Sequence, residues 1–236
     1  MAIKAVLFDL DGTLLPMNLE EYLNVYLSNL AKKVEPLGYG KKEFIASLWA
    51  ATEYMVKNDG SRTNEEVFWK EFSKIHGETV YGHIPVFNSY YTNEYNLAKE
   101  VCGFDPMAAK TVEYLKNRGM TLVCATNPLL PYVAMQSRLS WAGVDENCFS
   151  LITAYENSRF SKPFPGYYLE ILSKIGKKPE ECIMVGNDVS EDMPAKKTGM
   201  NVFLLTNCLI DKNGEDISAY PNGGFSDLVD YIESIK

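Results

Sequence analysis

AVLFDLDGTLLP, residues 5–16, is the stretch on which the fold turns. Its first four residues, Ala5, Val6, Leu7 and Phe8, form the unbroken apolar run of a strand buried on both faces. Two aspartates follow, Asp9 and Asp11, on either side of Leu10, and then Gly12 and Thr13. A carboxylate buried without a partner costs several kcal/mol or takes up a proton. In extended backbone Asp9 and Asp11 share one side while Leu10 faces the other. The plain reading is a strand that reaches solvent and turns at Asp11-Gly12. The other is that both acids are placed to act together.

Beyond Pro16 the pattern is helical as far as about residue 98. Leu19, Tyr22, Leu23, Tyr26, Leu27 and Leu30 recur at three- and four-residue steps. A second helix is expected through Phe44, Ile45, Leu48, Trp49, Thr52 and Met55. A third starts at Thr63, which with Glu66 forms a capping box, and carries Val67, Phe68, Phe72 and Ile75. The aromatic-rich PVFNSYYTNEY reads as a fourth. From residue 105 helices alternate with short apolar strands. Asp105-Pro106 opens a helix that ends at Gly119. MTLVCATN, SLIT, CIMVGND and NVFLL read as strands. Helices are expected around 130–142, 165–175 and 191–198, with a last one capped by Ser226. This alternation predicts an α/β protein with a doubly wound, Rossmann-like parallel sheet. The first strand joins that sheet, so residues 1–15 and 104–236 form the core and 16–103 an inserted all-helical domain.

Of the 236 residues, 31 are acidic and 23 basic, a net charge of −8 that disfavours nucleic acid or an anionic membrane as partner. It leaves open an anionic small molecule in a locally positive pocket. The five cysteines form no C-x-x-C pair and read as buried thiols of a reducing compartment. His76 and His83 lack zinc-ligand spacing and read as packing or surface residues. No segment has the roughly 18 consecutive apolar residues that cross a bilayer. Asp9 interrupts the first apolar run before a secretory signal could form, so a cytoplasmic protein is expected.

In parallel sheets, ligands bind beyond the carboxyl ends of the strands. The first strand is followed by Asp9 and Asp11, and TLVCA by Thr126 and Asn127. SLIT leads through a loop to Lys162, and CIMVG to Asn187, Asp188 and Asp192. Gathered carboxylates repel one another unless a hard cation such as Mg2+ lies between them. With that ion, Asp9 can approach a phosphate dianion, while Lys162, the Thr126 hydroxyl and the amides of the Gly12-Thr13 turn orient its oxygens.

DLDGT with CATN, SKP and GNDVSED resembles the four motifs of the haloacid dehalogenase superfamily, most of whose members are phosphatases. The helical segment resembles the cap domain of its helical-cap subclass. The resemblance implies a Mg2+-dependent phosphatase of a small phosphorylated metabolite. Asp9 would be the nucleophile that forms an aspartyl-phosphate, and Asp11 the general acid and base. Asp9, the Asp11 carbonyl and Asp188 would hold Mg2+, with Asp192 a direct or water-mediated ligand. Gly12, Thr13, Thr126, Asn127 and Lys162 would bind the phosphoryl group. Members commonly place an acid directly after the last motif's glycine, where this chain has Asn187. The register Asp188 with Asp192 supplies two carboxylates, and Asn187 with Glu191 only one; the first is preferred. Dehalogenases of this type lack an acid two positions after the nucleophile, so Asp11 favours release of an alcohol. A sugar-phosphate phosphomutase, and a phosphorylatable regulatory module resembling a receiver domain, are the alternatives.

Several residues have plainer readings. Asp188, Ser190, Glu191 and Asp192 suit a helix N-terminus. Trp49, Tyr54, Trp69, Tyr90 and Tyr91 read as core or interface aromatics, Arg62 and Arg159 as solvated cations, and Asn213-Gly214 as a hairpin turn.

Overall fold

The computed structural model describes residues 2–235. Strand β1 (Ala5–Phe8) lies at the centre of a six-stranded parallel sheet ordered β3-β2-β1-β4-β5-β6. The other strands are β2 (Thr121–Cys124), β3 (Leu151–Ile152), β4 (Cys182–Gly186), β5 (Asn201–Leu205) and β6 (Asn222–Gly223). Ala5 pairs with Thr121 on one side and Cys182 on the other, so β1 has hydrogen-bonded neighbours on both edges. This is the expected α/β sheet, with one short edge strand, β6, that the sequence pattern does not announce.

Alternate side chains serve opposite faces. Val6, Phe8, Leu122, Cys124, Ile183 and Val185 enter one apolar core. Ala5, Leu7, Val123, Cys182 and Met184 enter another, closed by Tyr167, Tyr168, Ile171 and Leu172 of α7 (Pro165–Ile175). The first face is covered by α5 (Pro106–Asn117), α6 (Tyr132–Trp141) and α8 (Phe225–Ser234).

Between β1 and α5 run four helices: α1 (Leu19–Val34), α2 (Lys41–Val56), α3 (Asn64–His76) and α4 (Val80–Thr92). The Thr63–Glu66 capping box forms at the start of α3. Phe72, fully buried, has Phe44, Phe68, Trp69, His76 and Phe87 around it within ring-packing distance. The apolar core of these helices is continuous with that on the first face of the sheet. The chain leaves and re-enters the sheet side by side: Met17 and Cys102 form an antiparallel bridge, and Gly103 N donates to Pro16 O at 2.6 Å.

Some local expectations differ from the structure. The fourth helix starts at Val80, ahead of PVFNSYYTNEY, and Pro85 lies inside it. Residues 193–198 form a 3-10 helix, and α8 is preceded by Gly224, with Ser226 in its first turn. Asn213-Gly214 makes no hairpin, because β5 and β6 are parallel; it belongs to the long connection between them. Ile75 and Tyr54 are exposed, and Trp49 is half exposed. All five cysteines are free, but only Cys124 and Cys182 are fully buried.

Candidate active site

The site grows from the end of β1. Asp9 N donates to Val185 O at 2.8 Å, which extends the strand ladder by one residue and fixes the backbone that carries the carboxylate. The chain then turns tightly, with Leu15 N donating to Leu10 O at 2.9 Å and Gly12 N to Leu15 O at 2.8 Å. Gly12 has φ of +84°, a backbone region where side chains are strained, and a Cβ there would stand 2.3 Å from Asn187 Nδ2. Both the conformation and the close approach require glycine. Asn187 is packed against this turn: it accepts a hydrogen bond from Thr13 Oγ1 at 2.9 Å and donates to Cys208 O at 2.7 Å. It therefore staples two loops together.

Lys162 lies between two carboxylates, its Nζ 2.7 Å from Asp9 Oδ1 and 2.7 Å from Asp192 Oδ1. All three side chains are buried. Burial works against the lysine charge, but Asp192 and Asp9 together hold Lys162 well above the ordinary lysine range. Burial pushes the Asp192 carboxyl up, to about 7, against the pull of Lys162. The second oxygen of Asp192 accepts from Asp188 N at 3.0 Å, so both of its oxygens are engaged. Asp188 Oδ1 accepts from Ser190 N, Ser190 Oγ and Glu191 N, and its Oδ2 is 3.5 Å from Lys212 Nζ.

Asp11 has a partner that sequence reasoning missed. Arg138 of α6 donates to Asp11 Oδ2, while Asp11 Oδ1 is buried without a hydrogen-bond partner. Burial pushes the Asp11 carboxyl up, and Arg138 opposes it. A signal for this pair existed: Arg138 shares the buried face of α6 with Ala134 and Met135, where an arginine needs an anion.

Thr126 is held through its carbonyl, which accepts from Thr153 Oγ1 at 2.7 Å and Tyr167 OH at 2.8 Å. Asn127 donates to Glu191 Oε2 at 3.2 Å and accepts from Lys162 N at 3.3 Å. Asp9, Asp11, Gly12, Thr126, Asn127, Asp188 and Asp192 all face one cavity of about 690 Å³. Thr13 and Lys162 do not reach its wall and stand behind it.

The donor set suits a hard cation. Asp9, Asp11, Asp188, Glu191 and Asp192 meet the cations Lys162, Arg138 and Lys212, an excess of negative charge in a confined space. Among the described residues, no three acidic, histidine or cysteine side chains cluster closely enough to ligate one ion. Mg2+ fits such a site, because it commonly takes one or two carboxylates and completes its shell with water and phosphate oxygens.

The sheet order, the acids at the end of its central strand and the helices between β1 and α5 define a known class, and residues 3–198 match the family model described as haloacid dehalogenase-like hydrolase. The chain belongs to that family of hydrolases. Among its relatives is the glyceraldehyde 3-phosphate phosphatase of Methanocaldococcus jannaschii, 25% identical over 99% of both chains. Among solved structures, a HAD phosphatase from Thermococcus onnurineus matches with a TM-score of 0.59 at 22% identity, over 98% of both chains. A 2-haloacid dehalogenase from Pseudomonas syringae matches with a TM-score of 0.61 at 18% identity, again over 98% of both. The fold is thus similar to that of a phosphatase and of a dehalogenase, and the choice of chemistry rests on the site. No helix among the described residues is long and apolar enough to cross a membrane.

Proposed function

We propose that the chain is a Mg2+-dependent phosphatase of a small phosphorylated substrate, acting through an aspartyl-phosphate on Asp9. The observation that carries this reading is the placement of Asp9 at the carboxyl end of the central strand, bonded to Lys162, with Asp11 on the same cavity. An Asp9 carboxylate oxygen attacks phosphorus, and the bond from phosphorus to the substrate alcohol breaks. Asp11 gives the departing oxygen its proton. Asp11 then takes a proton from water; that water attacks phosphorus, the bond to Asp9 breaks and inorganic phosphate leaves.

Mg2+, held by Asp9, the Asp11 carbonyl and Asp188, would offset the repulsion between the Asp9 carboxylate and the phosphate dianion. Asp192 fixes Lys162 with one oxygen and the Asp188 amide with the other, a positioning role beside the direct or water-mediated ligation that the resemblance implies. Lys162 keeps its charge next to the attacking oxygen, and Gly12, Thr126 and Asn127 receive the phosphoryl group at the wall. Residues 16–103 act as the cap that excludes bulk water during attack. The phosphatase named above, similar along nearly the whole chain, supports the reaction class. Phosphate release from a panel of phosphomonoesters tests the reading: it should need Mg2+, stop on chelation and return when Mg2+ is restored. Turnover unchanged by chelation would overturn it.

A further inference from the structure

The cavity at Asp9 continues past the carboxylates. It runs among α1, α2, α3 and α4, where Leu23, Leu27, Leu48, Phe68, Trp69 and Phe87 form its wall. Tyr22, Tyr26 and Tyr91 also face it, but their hydroxyls are already in use. Tyr22 OH is 2.5 Å from Tyr95 OH, and Tyr26 OH is 2.8 Å from Tyr91 OH. Each pair spends one hydroxyl hydrogen on its neighbour, so these tyrosines offer a ligand mainly ring surface. Trp69 Nε1 is buried beyond the reach of a ligand, and the polar side chains that the helical side adds to the wall include Asn18, Trp49 and Thr52.

Charge points the same way. Among the described residues, the cations on the wall are Arg138 and Lys212, each already paired, with Asp11 and Asp188. Arg62 and Arg159 are exposed and lie off the wall. A second phosphate or carboxylate on the substrate would meet several acids, and beyond Arg138 only the exposed Lys212, 3.5 Å from Asp188. A polyol would place most of its hydroxyls against carbon and leave them unpaired, which costs more than an apolar group of the same shape.

We propose that the phosphate ester taken by this site carries an apolar body, aromatic or branched aliphatic. It bears no second anionic group and few further oxygens. This deepens the phosphatase reading and rests on it. The phosphate sits at Asp9 and the body fills the chamber between the helices. A three-carbon polar substrate, such as the name of the similar archaeal phosphatase implies for that enzyme, would leave most of this space empty.

The test compares primary alkyl phosphates, so that the leaving groups are matched and only the body differs. With Mg2+, phenethyl phosphate should exceed glycerol phosphate and a hexose bisphosphate in kcat/KM by about 100-fold or more, roughly the factor one hydroxyl makes in an apolar pocket. Equal or faster release of phosphate from the polar esters overturns the inference while the phosphatase reading stands. If no ester turns over, that reading falls, and binding decides the inference by itself. Calorimetry on the Asp9→Asn variant should show phenethyl phosphate binding tighter by a similar factor, with a negative heat-capacity change from buried apolar surface. Equal affinity for glycerol phosphate refutes it.

Discussion

The two ends of the cavity are built from opposite materials. At the sheet end, Asp9, Lys162 and Asp192 are buried charges whose cost is met by one another and by the Asp188 amide. At the helical end the wall is rings and aliphatic chains, and its tyrosine hydroxyls are tied off in pairs. Buried charges constrain strongly, because removing one leaves the others unpaired. Apolar packing is graded, and each contact can change size at moderate cost. Reaction chemistry is therefore fixed at the sheet end, while the helical end is where a specificity can shift without disturbing that chemistry.

Four substitutions probe this contrast, in falling order of effect. Asp9→Asn should reduce phosphate release by at least about 1,000-fold, with an unchanged circular dichroism spectrum; residual turnover near wild type would remove Asp9 from the mechanism. Lys162→Met strands two buried carboxylates and should cost about 3–5 kcal/mol of stability. Urea denaturation measures it, and a loss below about 1 kcal/mol would mean the group behaves like a surface pair.

At the helical end, Tyr26→Phe takes only the Tyr91 hydroxyl's partner, since the bond from Tyr90 OH goes to the Tyr26 backbone. It should cost about 1–2 kcal/mol, read in the same denaturation experiment. The smallest effect concerns pH. Burial holds the His76 imidazole below its usual range, beside Tyr39 and Phe72. Below about pH 6.5 the unfolded chain binds a proton that the folded chain resists, so stability present above that pH is lost as pH falls. His76→Gln should flatten this slope between about pH 7 and pH 5. An unchanged slope would assign the acid sensitivity to other groups.

The sheet was legible where both faces are buried, because β1, β2, β4 and β5 appear as apolar runs. β6 was not, since Asn222 and Gly223 carry no apolar signal and pair only because the preceding loop returns them to the edge. The strand-end rule groups Asp9, Asp11, Thr126, Asn127, Asp188 and Asp192, and all six face one cavity. Depth within the site lay beyond it. Spacing along the chain does not say that Lys162 stands behind the wall, or that both Asp192 oxygens are committed. Trp49 was assigned to the apolar side by periodicity, but a helix against a cavity, not a solid core, leaves part of that side open; Ile75, assigned in the same way, lies exposed in the last turn of α3.

The paired crossing at Met17 and Cys102 has a consequence for how the chain can fold and be rebuilt. Because the outgoing and returning segments are neighbours, the whole helical segment is attached to the sheet as a hairpin loop would be. Its length then adds little to the entropy of closing that connection, which grows only with the logarithm of loop size. A helical segment of another length grafted between Met17 and Cys102 would keep this connection short, but would have to rebuild the core it shares with the sheet.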